Sequence, residues 1–219
     1  MARYTLIVGT RNWSSWSLRP YLALRATGAR FETVDIRLRQ TDAPSTREQI
    51  LQHSPAGKVP VLKIVEGEKS LTVWDSLAIC ETIAERHPEA HLWPDDAATR
   101  AIARSYACEM HSGFPDLRDQ LSMDFVRKKA PPDLREETKK QIARIIEAWS
   151  GALAAYQGGF LFGRFSLADC MYAPVVSRFE TYGVEVPPPV RAYMDRILAL
   201  PGMQEWKAVA EKEAAAGWV

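Results

Sequence analysis

The chain has 219 residues, of which 47% are hydrophobic and 25% are charged, with a formal net charge of +1. This composition is typical of a globular protein of one large or two small domains, and the charge leaves no basic excess for binding nucleic acid. No apolar run approaches the ~20 residues of a membrane-spanning helix, and the apolar run before Arg11 is too short for a signal peptide. We therefore expect a cytoplasmic protein without membrane or nucleic-acid partners.

The first part of the chain alternates predicted strands with predicted helices. Apolar, β-branched runs predict strands, and apolar residues three and four apart predict amphipathic helices. The predicted strands cover residues 4–8, 31–36, 61–65 and 71–74. The predicted helices cover residues 18–27 and 76–86, and a short helix between them begins at the capping box of Ser45 and Glu48. A crossover helix makes the first two strands parallel, and a tight turn makes the last two an antiparallel hairpin. This β-α-β-α-β-β-α order is that of a thioredoxin-like domain.

Residues 88–96 form the predicted linker, because two prolines and mixed polarity interrupt the periodicity there. Everything after the linker is helical in pattern, so the chain divides into residues 1–87 and an all-helical domain at 97–219. The longest predicted helix covers 97–125, with a bend near Gly113 and Pro115. Further helices are predicted at 134–156, 167–182, 191–200 and 203–215.

The three cysteines, Cys80, Cys108 and Cys170, stand between apolar neighbours in helix-like segments. Their spacing includes no Cys-x-x-Cys pair and no Cys/His pattern typical of zinc. We therefore expect three buried free thiols and no metal.

The most informative motif is Asn-Trp-Ser-Ser-Trp-Ser-Leu-Arg-Pro at residues 12–20, directly after the first predicted strand. A strand that turns through small hydroxyl residues into a helix creates a pocket with free backbone N–H groups beside side-chain hydroxyls. Such a pocket favours an anion. By itself, a serine cluster is more typical of helix capping and turn formation than of a ligand site.

Four motifs in order along the chain resemble those of the cytosolic glutathione transferase superfamily. They are Ser-Ser-Trp-Ser-Leu-Arg at 14–19, Ser-Pro-Ala-Gly-Lys-Val-Pro at 54–60, Asp-Ser at 75–76 and Phe-Ser-Leu-Ala-Asp at 165–169. The resemblance extends over essentially the whole chain, and the first motif is most similar to that of the serine-type zeta class, Ser-Ser-Cys-Ser-x-Arg. It implies an N-terminal α/β thioredoxin-like domain, an all-α C-terminal domain, glutathione as co-substrate, a homodimer and a role in detoxification.

The resemblance implies that Ser14 donates a hydrogen bond to the thiolate of glutathione, with Ser15 as the alternative and Ser17 as the helix N-cap. Lowering a thiol pKa by about two units from about 8.5 takes about 2.7 kcal/mol. One hydrogen bond to a charged group contributes about 1.5–3 kcal/mol, and the start of a helix adds a smaller term. One serine is therefore energetically sufficient. Tyr4, at the far end of the first strand, is expected only to pack.

Two further motifs are implied to hold glutathione. Val59 would pair its backbone with the cysteinyl part beside a cis Pro60, and Lys58 would pair with the glycyl carboxylate. Ser76 would bind the γ-glutamyl carboxylate, and Asp75 the γ-glutamyl ammonium group. Plainer roles stay open. Pro60 also fits the entry to a strand and Lys58 a solvated position. Either Asp75 or Ser76 also fits a helix cap.

The second substrate is expected between the first motif and the first helix of the C-terminal domain. The candidate residues are aromatic, sulfur-containing or imidazole side chains, namely Trp13, Trp16, Tyr106, Met110 and His111. Such a surface suits varied apolar electrophiles. Interdomain core packing is the alternative for Tyr106 and Met110, and exposure to solvent is the alternative for His111.

The first motif departs from the zeta pattern, because Trp16 replaces a cysteine and Tyr21 replaces a second arginine. The absence of cysteine at 12–17 argues against members that reduce mixed disulfides, which need a protein thiolate. Three functions remain. The first is conjugation of an apolar electrophile. The second is a glutathione-dependent isomerase resembling maleylacetoacetate isomerase, whose acidic diketo substrate requires cationic anchors such as Arg11 and Arg19. The third is a non-catalytic glutathione-binding or scaffold protein.

Overall fold

The computed structural model describes residues 2–219, and its N-terminal part contains a four-stranded sheet of strand order β2-β1-β3-β4. The strands are β1 (Arg3–Gly9), β2 (Phe31–Ile36), β3 (Val61–Glu66) and β4 (Lys69–Trp74). β1 pairs parallel with β2 and antiparallel with β3, and β3 and β4 form an antiparallel hairpin. The predicted parallel pair and the predicted hairpin are both confirmed.

Three helices cover the sheet: α1 (Ser15–Thr27), α2 (Thr46–Leu51) and α3 (Ser76–Arg86). Because side chains alternate across a strand, β1 contributes to a core on each face. Leu6 and Val8 belong to the large core that includes α1 and α3, whereas Ile7 packs with Ile36 and Ile50 on the α2 face. The predicted thioredoxin-like arrangement is therefore confirmed.

The rest of the chain is helical. The helices are α4 (Ala97–Ser112), α5 (Pro115–Gln120), α6 (Glu136–Ala155), α7 (Leu167–Tyr182), α8 (Pro188–Leu198) and α9 (Pro201–Ala215). α7 is buried along almost its whole length, and α1 packs against α3 on one side and α7 on the other. The N-terminus of α1 therefore lies where the sheet domain meets the helical domain, which fixes the position of the first motif.

The predicted long helix at 97–125 is wrong, because the structure has two helices there. α4 ends at Ser112, Phe114 takes a left-handed conformation with φ of 60°, and Pro115 opens α5. Proline has no N–H to donate to the preceding turn and is favoured at the first position of a new helix. At this turn, Arg118 of α5 donates to the carbonyls of Met110, His111 and Gly113 at the end of α4.

Two predictions about helix starts are also wrong. α1 begins at Ser15 with Ser14 at the N-cap position, so Ser17 lies inside the first turn rather than capping it. α8 begins at Pro188, three residues before the predicted start at residue 191, because proline is tolerated at the first helical position.

Two of the three cysteines are buried as predicted, but Cys108 is exposed. The buried positions of α4 are Ala103, Ala107 and Met110, which follow the helical repeat. Cys108 follows Ala107 by one residue, so it lies about 100° around the helix from the buried stripe. None of the helices within residues 2–219 is long and apolar enough to cross a membrane.

Candidate functional site

A cavity of about 400 Å³ lies where α1, β3 and the β4–α3 junction meet. Its walls come from three segments that are distant in sequence: Trp16, residues Ala56, Lys58, Val59 and Pro60, and residues Trp74, Asp75 and Ser76. Val61 is paired with Trp74 in the hairpin, so the residues just before β3 lie beside those just after β4. The strand register therefore brings two of the predicted glutathione motifs into one cavity.

The Val59–Pro60 peptide bond is cis, as the resemblance implied. Pro60 is buried, Val59 is half-buried and Lys58 is exposed at the cavity wall. Within residues 2–219, the backbone N–H and C=O of Val59 form no hydrogen bond. An extended peptide can therefore pair with Val59 in the manner of an added strand.

The carboxylate of Asp75 has two tasks. Its Oδ1 caps α3 by accepting from the backbone N–H groups of Leu77 at 2.9 Å and Ala78 at 3.3 Å. Its Oδ2 lies 3.3 Å from Nε2 of His111 and borders the cavity. The φ of Asp75 is 74°, a left-handed conformation that is uncommon outside glycine and occurs often at functional sites. The capping role expected for Asp75 is present, and Oδ2 is left to face a cation.

Ser76 is the first residue of α3 and is almost fully buried. Its Oγ accepts a hydrogen bond from Nη1 of Arg19 at 3.5 Å. Because the oxygen accepts, the hydroxyl hydrogen of Ser76 remains available to a ligand in the cavity. The N-terminus of a helix adds backbone donors and a favourable field for an anion at the same place.

Ser14 and Ser15 are each 5% exposed, and they stand just before Trp16, which lines the cavity. Ser14 occupies the N-cap position of α1 without a side-chain capping bond, and its Oγ donates to Oγ of Ser17 at 2.7 Å. Oγ of Ser15 accepts from Nη2 of Arg178 at 3.5 Å, so its hydrogen is also free. Both hydroxyls are therefore available to an anion, Ser14 by turning away from Ser17.

The first turn of α1 supplies further donors. In the part of the chain that the structure describes, the backbone N–H groups of Trp16 and Ser17 form no hydrogen bond. Tyr4, in contrast, lies at the other end of β1, where its hydroxyl contacts Arg86 and His87. Its hydroxyl has no access to the α1 terminus, in line with the packing role expected for it.

The five residues expected around a second substrate are not brought together as one surface. His111 packs edge-on to Trp16 with ring centroids 5.2 Å apart, and it contacts Asp75. Burial lowers the pKa of His111. Tyr106 donates to the carbonyl of Ala148 and Met110 is 1% exposed, so both belong to the interior of the helical domain. The core alternative therefore describes the positions of Tyr106 and Met110.

Trp13 points away from this cavity. Its ring stacks with the guanidinium of Arg39, 4.2 Å from the ring centroid, and it lines a separate cavity with the chain end near Trp218. Trp13 lies in the loop before α1, whereas Trp16 lies in the first turn of that helix. Trp13 and Trp16, three residues apart, therefore lie in different cavities.

Three arginines meet behind the cavity, and sequence reasoning singled out only Arg19. The guanidinium of Arg19 lies 4.2 Å from the Trp16 ring centroid and that of Arg118 lies 4.7 Å from it. Arg178 contacts Ser15. Burial and the charges of the other two arginines lower the pKa of Arg19 to about 9, and burial with the charge of Arg118 lowers that of Arg178 to about 10. Arg178 lies in segment 167–182, which also contains the charged residues Asp169 and Glu180, so no sequence pattern singled it out.

Two sequence models of known families match the chain. The model described as "Glutathione S-transferase, N-terminal domain" matches residues 13–86, and "Glutathione S-transferase, C-terminal domain" matches residues 132–196. The two matches stand in the order expected for the family and together include the cavity motifs. The chain belongs to the glutathione S-transferase superfamily. The family and fold class predicted from the sequence are confirmed.

The relatives of this glutathione S-transferase superfamily member include two kinds of enzyme. The chain is 30% identical over 162 residues to glutathione S-transferase omega-1 of Rattus norvegicus. The aligned residues make up 74% of this chain but only 62% of the relative, so the chain spans less than two thirds of that relative's length. It is 29% identical over 197 residues to maleylacetoacetate isomerase of Rattus norvegicus, covering 89% of this chain and 87% of that one.

A solved structure is similar along nearly the whole length. Maleylacetoacetate isomerase from Anaeromyxobacter dehalogenans 2CP-1, with bound dicarboxyethyl glutathione and citrate in the active site, is 28% identical. It aligns with a TM-score of 0.68 over 94% of each chain. In residues 2–219 of this chain, no group of three or more potential metal ligands is present.

Of the two arginines considered as cationic anchors, one lies outside the cavity. Arg11 pairs with Asp35 at 2.9 Å, donates to Thr33, and stacks near Tyr21 and Trp206. Arg11 therefore joins β2 to α9. Arg19 alone of the pair lies at the cavity, directly behind Ser76 and Trp16.

Proposed function

We propose that this protein is a glutathione transferase in which the Ser14 hydroxyl stabilises the thiolate of bound glutathione for attack on a small apolar electrophile. The proposal rests on one observation: the hairpin register sets the unpaired backbone of Val59 beside Asp75 and Ser76 in a single cavity that ends at the α1 N-terminus.

Glutathione fits this arrangement group by group. Its cysteinyl backbone pairs with Val59, its γ-glutamyl carboxylate meets Ser76 and the α3 N-terminus, and its ammonium group meets Asp75. Lys58, exposed at the other end, is available to the glycyl carboxylate. Each charged group of the ligand then has a partner of opposite charge or a set of hydrogen-bond donors.

The thiol of a ligand so oriented lies toward the first turn of α1. The free N–H groups of Trp16 and Ser17 and the positive end of the helix favour the thiolate over the thiol. Ser14 adds a hydroxyl hydrogen bond to sulfur, and Ser15 is the alternative donor. The thiolate then attacks an electrophile held against Trp16 and His111, whose rings border the same side of the cavity.

A glutathione-dependent isomerase is the second candidate, and the maleylacetoacetate isomerases among the relatives favour it. In that reaction the thiolate adds to a double bond and later leaves, so glutathione is not consumed. The same binding residues serve both reactions, and the choice between them depends on the electrophile. We also propose a cytoplasmic location and a homodimer, which the family resemblance supports.

Calorimetric titration with glutathione tests binding, and a thiol assay during turnover distinguishes the two reactions. Steady depletion of glutathione with an apolar electrophile supports conjugation. A constant glutathione concentration during turnover of an unsaturated acid supports isomerisation instead. Failure of the wild type to bind glutathione contradicts both and leaves the non-catalytic scaffold.

A further inference from the structure

The buried stripe of α9 ends in a carboxylate. The buried residues of this helix follow the helical repeat and are Gly202, Met203, Trp206, Ala210 and Glu213. Glu213 is only 6% exposed, and within residues 2–219 its Oε1 has no hydrogen-bond partner. Burying a carboxylate is unfavourable unless other groups pair with it or donate hydrogen bonds to it. The position of Glu213 in an otherwise apolar stripe therefore depends on the contact that its other oxygen makes.

That contact is with the loop between β1 and α1. Oε2 of Glu213 accepts a hydrogen bond from the backbone N–H of Arg11 at 2.6 Å. A bond from an N–H group to a carboxylate is short and about twice as strong as a bond between neutral groups. The Arg11 guanidinium is engaged with Asp35 and Thr33. Burial and the charge of Asp35 raise the pKa of Glu213 above its ordinary value. The charge of Arg11 and the N–H groups of Arg11 and Asn12 oppose this rise in pKa.

Arg11 and Asn12 are the corner residues of the turn that leads from β1 to Ser14. The carbonyl of Thr10 accepts from the N–H groups of Trp13 at 3.0 Å and Ser14 at 2.9 Å, and these two bonds close the turn. The N–H of Arg11 and the carbonyls of both corner residues bond to residues of the helical domain instead. The turn therefore depends on that domain for its position.

α9 holds the first corner from both sides. Glu213 accepts from the Arg11 N–H, and Trp206, two helical turns earlier, donates from Nε1 to the Arg11 carbonyl at 2.9 Å. These two groups belong to the peptide units before and after Arg11. One face of α9 therefore fixes two successive peptide units of the turn.

The segment 124–126 holds the second corner. Asn12 is fully buried, and its Nδ2 donates to Oδ1 of Asp124 at 2.8 Å. Its Oδ1 accepts from the N–H of Val126 at 2.9 Å, and its carbonyl accepts from the N–H of Phe125 at 3.2 Å. With this corner held independently, loss of the Glu213 bond releases one side of the turn and not the whole loop.

We propose that Glu213 is a positioning residue, which through the Arg11 N–H fixes the turn that places the Ser14 hydroxyl at the α1 N-terminus. This inference rests on the proposed function, in which that hydroxyl donates to the sulfur of glutathione. A hydrogen bond weakens steeply as its distance and angle depart from the optimum. The hydroxyl therefore stabilises the thiolate fully only while the turn is held.

The direction of the effect separates positioning from charge. A negative charge near the site disfavours a second one, so the field of Glu213 alone raises the pKa of the bound thiol, and its removal would lower that pKa. Loss of positioning acts in the opposite direction, because a displaced Ser14 hydroxyl stabilises the thiolate less. We therefore expect Glu213→Ala to raise the pKa of the glutathione thiol in the complex by about one unit, a tenfold change in the ionisation constant.

Ultraviolet absorbance of the thiolate, followed against pH in the complex with glutathione, measures this pKa. Glu213→Gln keeps an acceptor for the Arg11 N–H and should raise the thiol pKa by less than Glu213→Ala does. Glu211→Ala is the matched control, because Glu211 is an exposed carboxylate of the same helix, 3.8 Å from Lys207, and it should leave the thiol pKa unchanged. S-methylglutathione has no ionisable thiol, and calorimetry should give a Kd within about twofold of the wild-type value in every variant.

A second background tests whether Glu213 acts through Ser14. In Ser14→Ala the positioned hydroxyl is absent, so adding Glu213→Ala should raise the thiol pKa no further. The inference is overturned by an equal rise in both backgrounds, by no rise or a fall in Glu213→Ala alone, or by a tenfold loss of S-methylglutathione affinity. If Glu213→Ala does not fold, Glu213→Leu fills the same space without an acceptor and carries the same expectations.

Failure of the proposed function has a different result. A wild type that binds neither ligand, or whose bound thiol titrates like free glutathione, contradicts the proposed function itself. A wild type with a lowered thiol pKa that Glu213→Ala leaves unchanged contradicts only the positioning role of Glu213.

Discussion

The two walls of the cavity differ in how they are built. The glutathione wall, formed by Val59, Pro60, Asp75 and Ser76, lies at the ends of two paired strands, and one strand register brings all four residues together. The opposite wall depends on how α4 is rotated about its own axis where its C-terminal end meets Trp16 of α1. There Trp16 and His111 meet, while Met110, adjacent to His111 in sequence, is buried in the core.

At strand ends, the pairing of neighbouring strands determines which residues face the site. Between packed helices, the rotation of each helix about its own axis determines which residues do so. One residue along a helix is about 100° of rotation, so neighbours face different surroundings. Substitutions on each wall test whether this contrast between the glutathione wall and the helical wall also holds for function.

The largest expected effect separates Met110 from His111. We expect Met110→Ala to lower the free energy of unfolding by about 2–5 kcal/mol, because it removes a buried side chain and leaves a cavity. The folded fraction should retain its KM for the electrophile. His111→Ala should do the opposite, changing that KM with little loss of stability. Denaturant unfolding and steady-state kinetics measure both, and a large change in the electrophile KM with Met110→Ala would contradict its assignment to the core.

The next effect concerns the thiolate donor. We expect Ser14→Ala to lower turnover by about 10- to 100-fold, the loss of one hydrogen bond to a charged group, with a smaller change in glutathione affinity. Ser17→Ala is the matched control, since it removes the present acceptor of the Ser14 hydroxyl but no proposed donor to sulfur. Full activity in Ser14→Ala combined with a loss of activity in Ser15→Ala would show that Ser15, not Ser14, donates the hydrogen bond to the thiolate.

A smaller effect is expected at the glutathione wall itself. Ser76→Ala should raise the glutathione Kd by about tenfold, because one hydrogen bond to the ligand carboxylate is lost, and should leave turnover at saturating glutathione nearly unchanged. Ser112→Ala, at an exposed serine at the end of α4, serves as the control. A fall in turnover without a change in Kd would contradict a pure binding role for Ser76.

The smallest effect is a pH dependence at the helical wall. Burial lowers the pKa of His111 below its unfolded value of 6.5, so the unfolded chain binds the proton more readily. The stabilising contribution of neutral His111 is therefore present above that unfolded pKa and is lost as the pH falls below it. The nearby charges of Asp75, Arg19 and Arg118 modulate this titration. Thermal melting of wild type and His111→Gln should diverge as the pH falls below 6.5, and parallel pH profiles would contradict the assignment.

Much of the fold was predictable because its signals are local. Strand β2 and helices α3 and α7 have the predicted boundaries, and the capping box predicted at Ser45 is present. The domain boundaries 1–87 and 97–219 remain predictions. The break between α4 and α5 was predicted only as a bend. The helical spacing of apolar residues continues across Pro115, but the helix itself ends before that residue and a new helix begins there.

The site was predictable where a sequence motif determines the local backbone conformation. It was not predictable where tertiary packing determines which way a side chain points. The residues of the 56–60 and 74–76 segments line one cavity, as the resemblance implied for two motifs that hold the same ligand. The direction of Trp13 and the core positions of Tyr106 and Met110 depend on helix rotation and loop geometry. The arginine cluster was missed because Arg19, Arg118 and Arg178 come from three helices whose packing no sequence period reveals.

The central claim is that glutathione binds in this cavity with its sulfur at the α1 N-terminus, and the most direct measurement is the pKa of the bound thiol. Ultraviolet absorbance of the thiolate, followed against pH in the complex of the wild type with glutathione, reports that pKa. We expect a value about two units below the ~8.5 of a free cysteine-like thiol, and a rise toward the free value in Ser14→Ala. A bound thiol that titrates like the free thiol in the wild type would contradict the account.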